Sequence, residues 1–222
     1  ASGVPQRLHY GAGSPWIDIR LRCGGALHVL VERVDPDSPA LAVLADSMAR
    51  RVPCCWQTDG TAQQVQGGDG SPSVTPLLEW REEPFQLTRR YDPPRRLVVS
   101  GGDPGALALA TLAQQSGFET ILVRPGGPTE EPPFPVARYL RMDPAEALAL
   151  IGVDRWTAYI GATHEDHHDL AACLYAVRHG ASYVGMIGAK SRAEGRQAAL
   201  SAAGATVDEL ARLRLSPGIG GL

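Results

Sequence analysis

The stretch Leu97-Val98-Val99-Ser100-Gly101-Gly102-Asp103-Pro104-Gly105 decides the fold class of this chain. Three apolar residues typical of a buried strand lead into a glycine-rich turn, and an alanine-rich helical segment follows. This is the layout of a dinucleotide-binding turn, in which glycines permit a tight turn, close approach of the backbone to a phosphate, and packing of helix on sheet. The sequence therefore predicts an α/β domain with a doubly wound, mostly parallel, Rossmann-like sheet.

The second half of the chain continues this alternation of strand and helix. The predicted strands cover residues 95–100, 119–124, 136–140, 156–162 and 182–187. The predicted helices cover residues 105–115, 144–150, 166–179, 190–202 and 207–213. Because two consecutive prolines fit neither a ladder nor a helix, Tyr91-Asp92-Pro93-Pro94 marks a boundary, and residues 94–222 form the predicted Rossmann-like domain.

The first half of the chain predicts a smaller α+β domain over residues 1–93. Strand-like runs cover residues 16–21, 26–34 and 52–58, and a further apolar segment covers 74–80. A helix is predicted over residues 40–51, after the turn-forming run Asp35-Pro36-Asp37-Ser38-Pro39.

The composition excludes several classes of function. The 222 residues are 44% hydrophobic and 20% charged, which is the ordinary profile of a globular protein. A net charge of -3 gives no electrostatic reason to bind nucleic acid or an acidic membrane. No apolar run approaches the roughly 20 residues of a spanning helix, and the amino end lacks a secretory signal pattern. These features predict a cytoplasmic protein.

The cysteines favour neither a disulfide scaffold nor a structural zinc site, because no two of them have C-x-x-C spacing. We expect most of them to be buried thiols in a reducing compartment. The four are Cys23, Cys54, Cys55 and Cys173.

The glycine-rich turn has two interpretations. In the first, the backbone around Gly101, Gly102 and Gly105 binds a phosphate at the amino end of the helix. In the second, Asp103 is the helix N-cap and Pro104 its first residue, so that the carboxylate occupies the N–H groups a phosphate would need.

Arg124 follows the second strand, where a fold that binds NAD usually places an acidic residue for the ribose hydroxyls. An arginine there favours the 2'-phosphate of NADP or another anionic ligand. The alternative is a solvated arginine on the following loop.

The stretch Thr163-His164-Glu165-Asp166-His167-His168-Asp169 places three histidines and three acids at the end of a strand. If a helix begins near Asp166, His164 and His168 approach each other, and Asp169 shares a face with Glu165. Such groups bind a divalent metal or transfer a proton. Alternatively, they form an ordinary helix start with acids in the first turn.

Glycines and basic residues also follow the next strand. Gly185 and Gly188 permit close backbone approach, and Lys190, Arg192 and Arg196 open a helix whose amino end favours anions. Since basic side chains are unfavourable at a helix amino end, an anionic partner would explain them. The alternative is a solvated helix face.

These motifs, in this order, resemble those of the xanthine dehydrogenase accessory protein (XdhC/CoxI) family. In the histidine-acid motif the matching residues are Thr163, His164 and Asp169. In the following motif they are Tyr183, Val184, Gly185, Ile187, Gly188, Lys190 and Arg192. Upstream, Arg7-Leu8-His9-Tyr10-Gly11 and Cys23-Gly24-Gly25 are similar to the end of the family's amino-terminal domain, so residues 1–93 would be part of that domain.

The chain also departs from the family pattern. Ser100, Asp103 and Pro104 change the glycine turn, Arg124 replaces an acid, and Glu165 and Asp166 replace the acid and second histidine of the histidine-acid motif. An earlier amino-terminal section and a carboxyl-terminal tail of the family pattern are missing. The resemblance is therefore to a truncated or diverged member.

The resemblance implies a molybdenum cofactor (molybdopterin) binding and insertion factor for a xanthine or carbon monoxide dehydrogenase, rather than a turnover enzyme. It implies phosphate contacts near Gly102, Gly185, Gly188, Lys190 and Arg192. The pterin or metal end would face His164, Asp166 and Asp169, with Cys23 as a sulfur contact, although a buried turn cysteine is the alternative. The implied partners are a molybdenum-containing dehydrogenase, a cysteine desulfurase and a second copy of the chain.

Two other functions compete with this one. An NADP-dependent oxidoreductase would use Arg124 and the glycine turn, but the sequence has no Tyr-x-x-x-Lys pair for hydride transfer. A degenerate nucleotide-binding fold that binds only partner proteins is the third interpretation.

Overall fold

The chain forms two compact units, Ala1–Pro93 and Pro94–Leu222, in a computed structural model. The structure describes residues 3–15, 21–67 and 77–217. Within these ranges no helix is both long and apolar enough to cross a membrane.

In its described residues, the first unit contains two antiparallel sheets and one helix. Its elements are β1 (Gln6–Gly11), β2 (Ala26–Val31), α1 (Pro39–Ala49), β3 (Cys54–Thr58), β4 (Gln63–Gly67), β5 (Leu78–Arg81) and β6 (Gln86–Tyr91). Strands β1 and β2 pair with each other, and the other four form a sheet in the order β4-β3-β6-β5. Helix α1 packs against β3 and β4, close to the buried side chains of Cys54 and Trp56. This unit is the predicted smaller α+β part.

Several predicted bounds in this unit need correction. The strand predicted over residues 26–34 ends at Val31, and the helix predicted over 40–51 ends at Ala49. Of the strand predicted over residues 16–21, all but Leu21 lies outside the described residues, and Leu21 itself is not in a strand. Strands β1, β4 and β6 were not predicted, because their polar residues obscure the apolar alternation that identifies a strand.

The second unit is a six-stranded parallel sheet covered by helices. Its elements are β7 (Arg96–Gly101), α2 (Pro104–Gln115), β8 (Glu119–Val123), β9 (Arg138–Leu140), α3 (Pro144–Ile151), β10 (Thr157–Ala162), α4 (Asp166–Arg178), β11 (Tyr183–Met186), a 3₁₀ turn (Lys190–Arg192), α5 (Ala193–Ala202), α6 (Val207–Arg212) and β12 (Leu213–Arg214). The predicted elements are present, with two differences. The helix predicted over residues 190–202 begins as the 3₁₀ turn, and the residues after α6 form the short edge strand β12.

Alternating residues of the central strand β7 supply the two sides of the core. Leu97 and Val99 pack with the small side chains of α2, among them Ala106 and Ala110. Val98 packs on the opposite face with residues of α3 and α4. The sheet is therefore doubly wound, which confirms the predicted Rossmann-like fold.

The strand order β12-β11-β10-β7-β8-β9 places the reversal of the chain between β7 and β10. From β7 the chain builds outward through β8 and β9, then returns to β10 on the other side of β7. In open α/β sheets the crevice at the carboxyl ends of the strands at such a reversal is the usual ligand position.

Candidate functional site

A cleft of about 370 Å³ opens at the carboxyl ends of β7, β8 and β10. We call it the carboxyl-end cleft, and its lining residues are Gly101, Gly102, Asp103, Arg124, Pro125, Gly126, Gly127, Pro128, Ala162, Thr163, His164 and Glu165. Its volume is near the lower limit of ligand pockets, which hold about 300–1,000 Å³. The fold thus brings together five residues predicted from sequence: Gly101, Gly102, Arg124, Thr163 and His164.

Other groups lie close to both glycines at the end of β7. Gly101 has a φ of +148°, and a Cβ atom there would lie 2.3 Å from the carbonyl oxygen of Ala162 on β10. A Cβ atom on Gly102 would lie 2.6 Å from Nε of Arg124. The guanidinium of Arg124 therefore lies against the glycine turn, in space that any side chain at Gly102 would fill.

Arg124 carries a positive charge into the cleft, which the carboxylates of Asp103 and Glu165 also line. Its side chain is half-buried, and among the described residues its guanidinium has no hydrogen bond or ion pair. A partly desolvated guanidinium is costly unless it is paired, and its planar fork matches phosphate oxygens. An anionic ligand in the cleft would pair with this guanidinium, which is the anion-binding interpretation of Arg124.

Asp103 caps helix α2, as the second interpretation of the glycine turn predicted. One carboxylate oxygen accepts a hydrogen bond from the backbone N–H of Ala106 at 2.6 Å, and Pro104 is the first helical residue. The other oxygen lies 2.6 Å from Nε2 of His164. These bonds, the one with His164 foremost, hold the pKa of Asp103 below its usual range. The amino end of α2 is thus partly occupied by a carboxylate of the protein itself.

His164 reaches Asp103 from a strained backbone position. Its φ is 65°, in the left-handed region that a residue with a side chain rarely adopts. His168, in contrast, binds Oδ2 of Asp143 through Nδ1 at 2.6 Å. His164 and His168 thus pair with different carboxylates, and their approach to each other stays a prediction.

Asp169 lies beneath the cleft and has no exposed surface. Its carboxyl oxygens accept hydrogen bonds from the backbone N–H of Thr163, at 3.1 Å for the shorter, and from Oγ of Ser100 at 3.4 Å. Burial raises the pKa of this carboxyl. Glu165 is exposed, whereas Asp169 is buried, and the backbone N–H of Asp169 donates to the carbonyl oxygen of Glu165 at 3.1 Å. Asp169 is placed to hold the Thr163-His164 turn rather than to touch a ligand.

A hydroxyl pair that the sequence did not predict extends this buried network. Oγ of Ser100 and the phenolic oxygen of Tyr159 lie 2.6 Å apart, and both side chains are fully buried. From sequence, Ser100 is only a replacement for the first glycine of the turn. A polar residue at the end of an otherwise apolar strand is the signal that points to such a network.

The loop after β8 was not predicted to belong to the site either. The carbonyl oxygen of Gly127 accepts a hydrogen bond from Nε of Arg141, and that of Pro128 accepts one from the hydroxyl of Tyr139. These bonds hold the loop at one side of the cleft. Its signal in the sequence is Gly126-Gly127, two glycines that follow Arg124 and Pro125 at the end of a strand that leads to the ligand edge of the sheet.

The basic residues after β11 already have an anion within the protein. Nη2 of Arg192 lies 2.6 Å from one carboxylate oxygen of Asp166, and Nε of the buried Arg196 lies 3.3 Å from the other. Asp166 therefore explains why these arginines lie at a helix start, without an external anion. Lys190 is exposed and has no ion pair among the described residues.

The remaining predicted residues do not line the cleft. Gly105 lies in the first turn of α2, and Gly185 and Gly188 lie against protein side chains. A Cβ atom on Gly185 would be 2.9 Å from Ile160, and one on Gly188 would be 2.5 Å from Arg196. Of the cysteines, Cys54 and Cys173 are buried as expected, whereas Cys23 is exposed, in the first unit.

Comparison with known proteins assigns the chain to a family. Residues 97–221 match the XdhC Rossmann domain family. The chain is 28% identical to the molybdenum cofactor insertion chaperone PaoD of Escherichia coli strain K12. The match covers 98% of this chain and 60% of the length of PaoD. It also shares its fold with a crystal structure described as a xanthine dehydrogenase from Bacillus halodurans, at a TM-score of 0.64, 21% identity, and coverage of 88% of this chain and 65% of that one. The family resemblance seen in the sequence is thereby confirmed, and this chain belongs to the XdhC family through its Rossmann domain.

Proposed function

We propose that this chain binds the molybdenum cofactor in the carboxyl-end cleft and acts in its insertion into a molybdenum-containing dehydrogenase. The observation that carries the proposal is the guanidinium of Arg124, half-buried in the cleft and without a hydrogen bond or ion pair among the described residues. The name of the relative PaoD supports the choice of cofactor, since that protein is a molybdenum cofactor insertion chaperone.

The residues of the cleft fit the anionic end of such a cofactor. Molybdopterin carries a phosphate, and Arg124 presents a fork of N–H donors beside the bare backbone of Gly101 and Gly102. The polar side chains of Thr163 and His164 line the same cleft and suit the hydrogen-bonding edge of a pterin. In the acceptor enzyme the cofactor supplies the molybdenum centre for redox chemistry. In this chain the cleft binds and orients it.

Two other predicted residues, Asp166 and Asp169, bind protein groups and do not line the cleft. Asp169 fixes the Thr163-His164 turn through the Thr163 N–H, and Asp166 fixes Arg192 and Arg196. Five residues stay predicted ligand contacts but do not line this cleft: Gly105, Gly185, Gly188, Lys190 and Cys23. A cysteine desulfurase and a second copy of the chain stay predicted partners, and the cytoplasm stays the predicted location.

Retention of the pterin after desalting tests the proposal. The purified chain is mixed with molybdenum cofactor, passed through a desalting column and read by pterin fluorescence, with and without NADPH as competitor. We expect retained pterin that NADPH does not displace. In Arg124→Gln we expect about tenfold weaker retention or more, because a charge-assisted hydrogen bond contributes about 1.5–3 kcal/mol.

The matched control is Arg138→Gln, since Arg138 is an exposed arginine of the same unit that does not line the cleft. Its retention of pterin should equal that of the unmodified chain. Equal loss in both variants would contradict the site. Retention of NADPH instead of pterin, weakened selectively in Arg124→Gln, would assign the chain to the oxidoreductases.

A further inference from the structure

We propose that Glu165, His167 and His168 form a binding site for a divalent transition-metal cation at the rim of the carboxyl-end cleft. Each of these residues offers one ligand atom, and the three atoms lie within 4.8 Å of one another. Two imidazoles and a carboxylate are a donor set that suits zinc, cobalt, nickel and iron(II).

The side chains are close to the geometry that a cation requires. Nε2 of His167 already lies 3.7 Å from Oε2 of Glu165, and the rings of His167 and His168 are 4.0 Å apart between centroids. With metal–ligand bonds of about 2.0–2.1 Å, ligands in a tetrahedral site are about 3.4 Å apart. The side chains of His167 and Glu165 are 69% and 63% exposed. Small rotations of these side chains therefore bring the ligand atoms to the tetrahedral spacing without disturbing the core.

A contact outside the cluster orients the third ligand. Nδ1 of His168 lies 2.6 Å from Oδ2 of Asp143, whose other carboxylate oxygen caps helix α3 by accepting from the N–H groups of Ala145 and Glu146. An ionised carboxylate can only accept, so Nδ1 carries a proton, and the neutral form of this imidazole coordinates a cation through Nε2. A carboxylate that holds the far nitrogen of an imidazole is the usual support of a metal-binding histidine.

The local charge sets the expected strength of the site. The amino end of α4 disfavours a cation, while the carboxylate of Glu165 favours one. We therefore expect weaker binding than at a structural zinc site. Three protein ligands leave a coordination position open, and Glu165 also lines the cleft, so that position is available to an anionic group bound there.

Titration with zinc alone tests this site independently of the cofactor. The full chain, without an affinity tag and treated with a chelator, is titrated with Zn²⁺ in a calorimeter, and Co²⁺ is followed by its visible absorption. We expect one equivalent to bind. His167→Ala and His168→Gln should each weaken binding at least tenfold. Asp143→Asn should weaken it about 10- to 100-fold, although asparagine caps a helix as well as aspartate does.

The controls are His28→Ala and His179→Ala, which remove imidazoles outside the cluster. Both should bind zinc like the unmodified chain, and far-UV circular dichroism verifies that every variant is folded. Absence of zinc binding would overturn the proposal, as would unchanged binding in His167→Ala. A loss confined to His28→Ala would place the cation instead at the stacked pair of His9 and His28 in the first unit.

Discussion

Gly101 leaves room for only a hydrogen atom, because the carbonyl oxygen of Ala162 occupies the space of a side chain. In Gly101→Ala, the clash and the unfavourable φ should together lower the free energy of unfolding by about 3 kcal/mol. Gly117→Ala is the matched control, since its φ is also positive, at +82°, but a Cβ atom there meets nothing within 4 Å. Urea unfolding of both variants measures the difference, and equal losses would show that the contact with β10 is unimportant.

Asp169 should make stability depend on pH. Because burial raises its pKa, the folded chain keeps the proton of this carboxyl at pH values where the unfolded chain has lost it. The free energy of unfolding therefore falls as pH rises from about 3.9, the ordinary pKa of aspartate, through the folded pKa. Asp169→Asn lacks this group and can still accept from the N–H of Thr163, so its stability relative to the unmodified chain should improve with pH.

Urea unfolding of Asp169→Asn and the unmodified chain at pH 4.5 and at pH 7 measures this change. A constant difference would show that the hydrogen bonds offset the effect of burial on the pKa of Asp169. A difference that favours the unmodified chain more at pH 7 would show that the hydrogen bonds outweigh burial.

Among the elements, α3 and α4 are joined through one carboxylate. Asp143 caps α3 and holds His168 of α4. Burial opposes ionisation of Asp143, but the hydrogen bonds with His168, Glu146 and Ala145 together lower its pKa. Asp143→Ala should cost about 1–2 kcal/mol of stability, whereas Asp143→Asn should retain most of the cap. Thermal unfolding at neutral pH measures both variants, and similar melting temperatures would contradict the capping role.

The elements also show what sequence can and cannot predict. The alternation of strand and helix, together with the rule that ligands bind at the carboxyl ends of parallel strands, placed Gly102, Arg124 and His164 at one edge. Sequence did not predict which charges would pair, because Arg192 and Asp166 are separated by 26 positions and meet only when helices pack. It also missed β6, since the alternation in Gln86–Tyr91 is hidden by two arginines.

For the molecule as a whole, the second unit contains a complete core of its own. Two clusters of buried apolar residues lie within residues 94–222, on the two faces of one sheet. A chain of residues 94–222 alone should therefore fold and unfold in a single cooperative transition. Circular dichroism and a near-ultraviolet melt test this, and a broad, non-cooperative melt would show that this core is insufficient.

The carboxylate of Asp103, which caps α2, affects how fast a bound ligand dissociates. A ligand phosphate that reaches the amino end of α2 meets Asp103, which already holds the Ala106 N–H and His164. When the phosphate dissociates, the carboxylate of Asp103 re-forms its own hydrogen bonds at once, because it is already within bonding distance. An internal competitor of this kind shortens the residence time of the bound molecule. Under the proposed function, in which the cofactor passes to another protein, Asp103 would favour release of the cofactor.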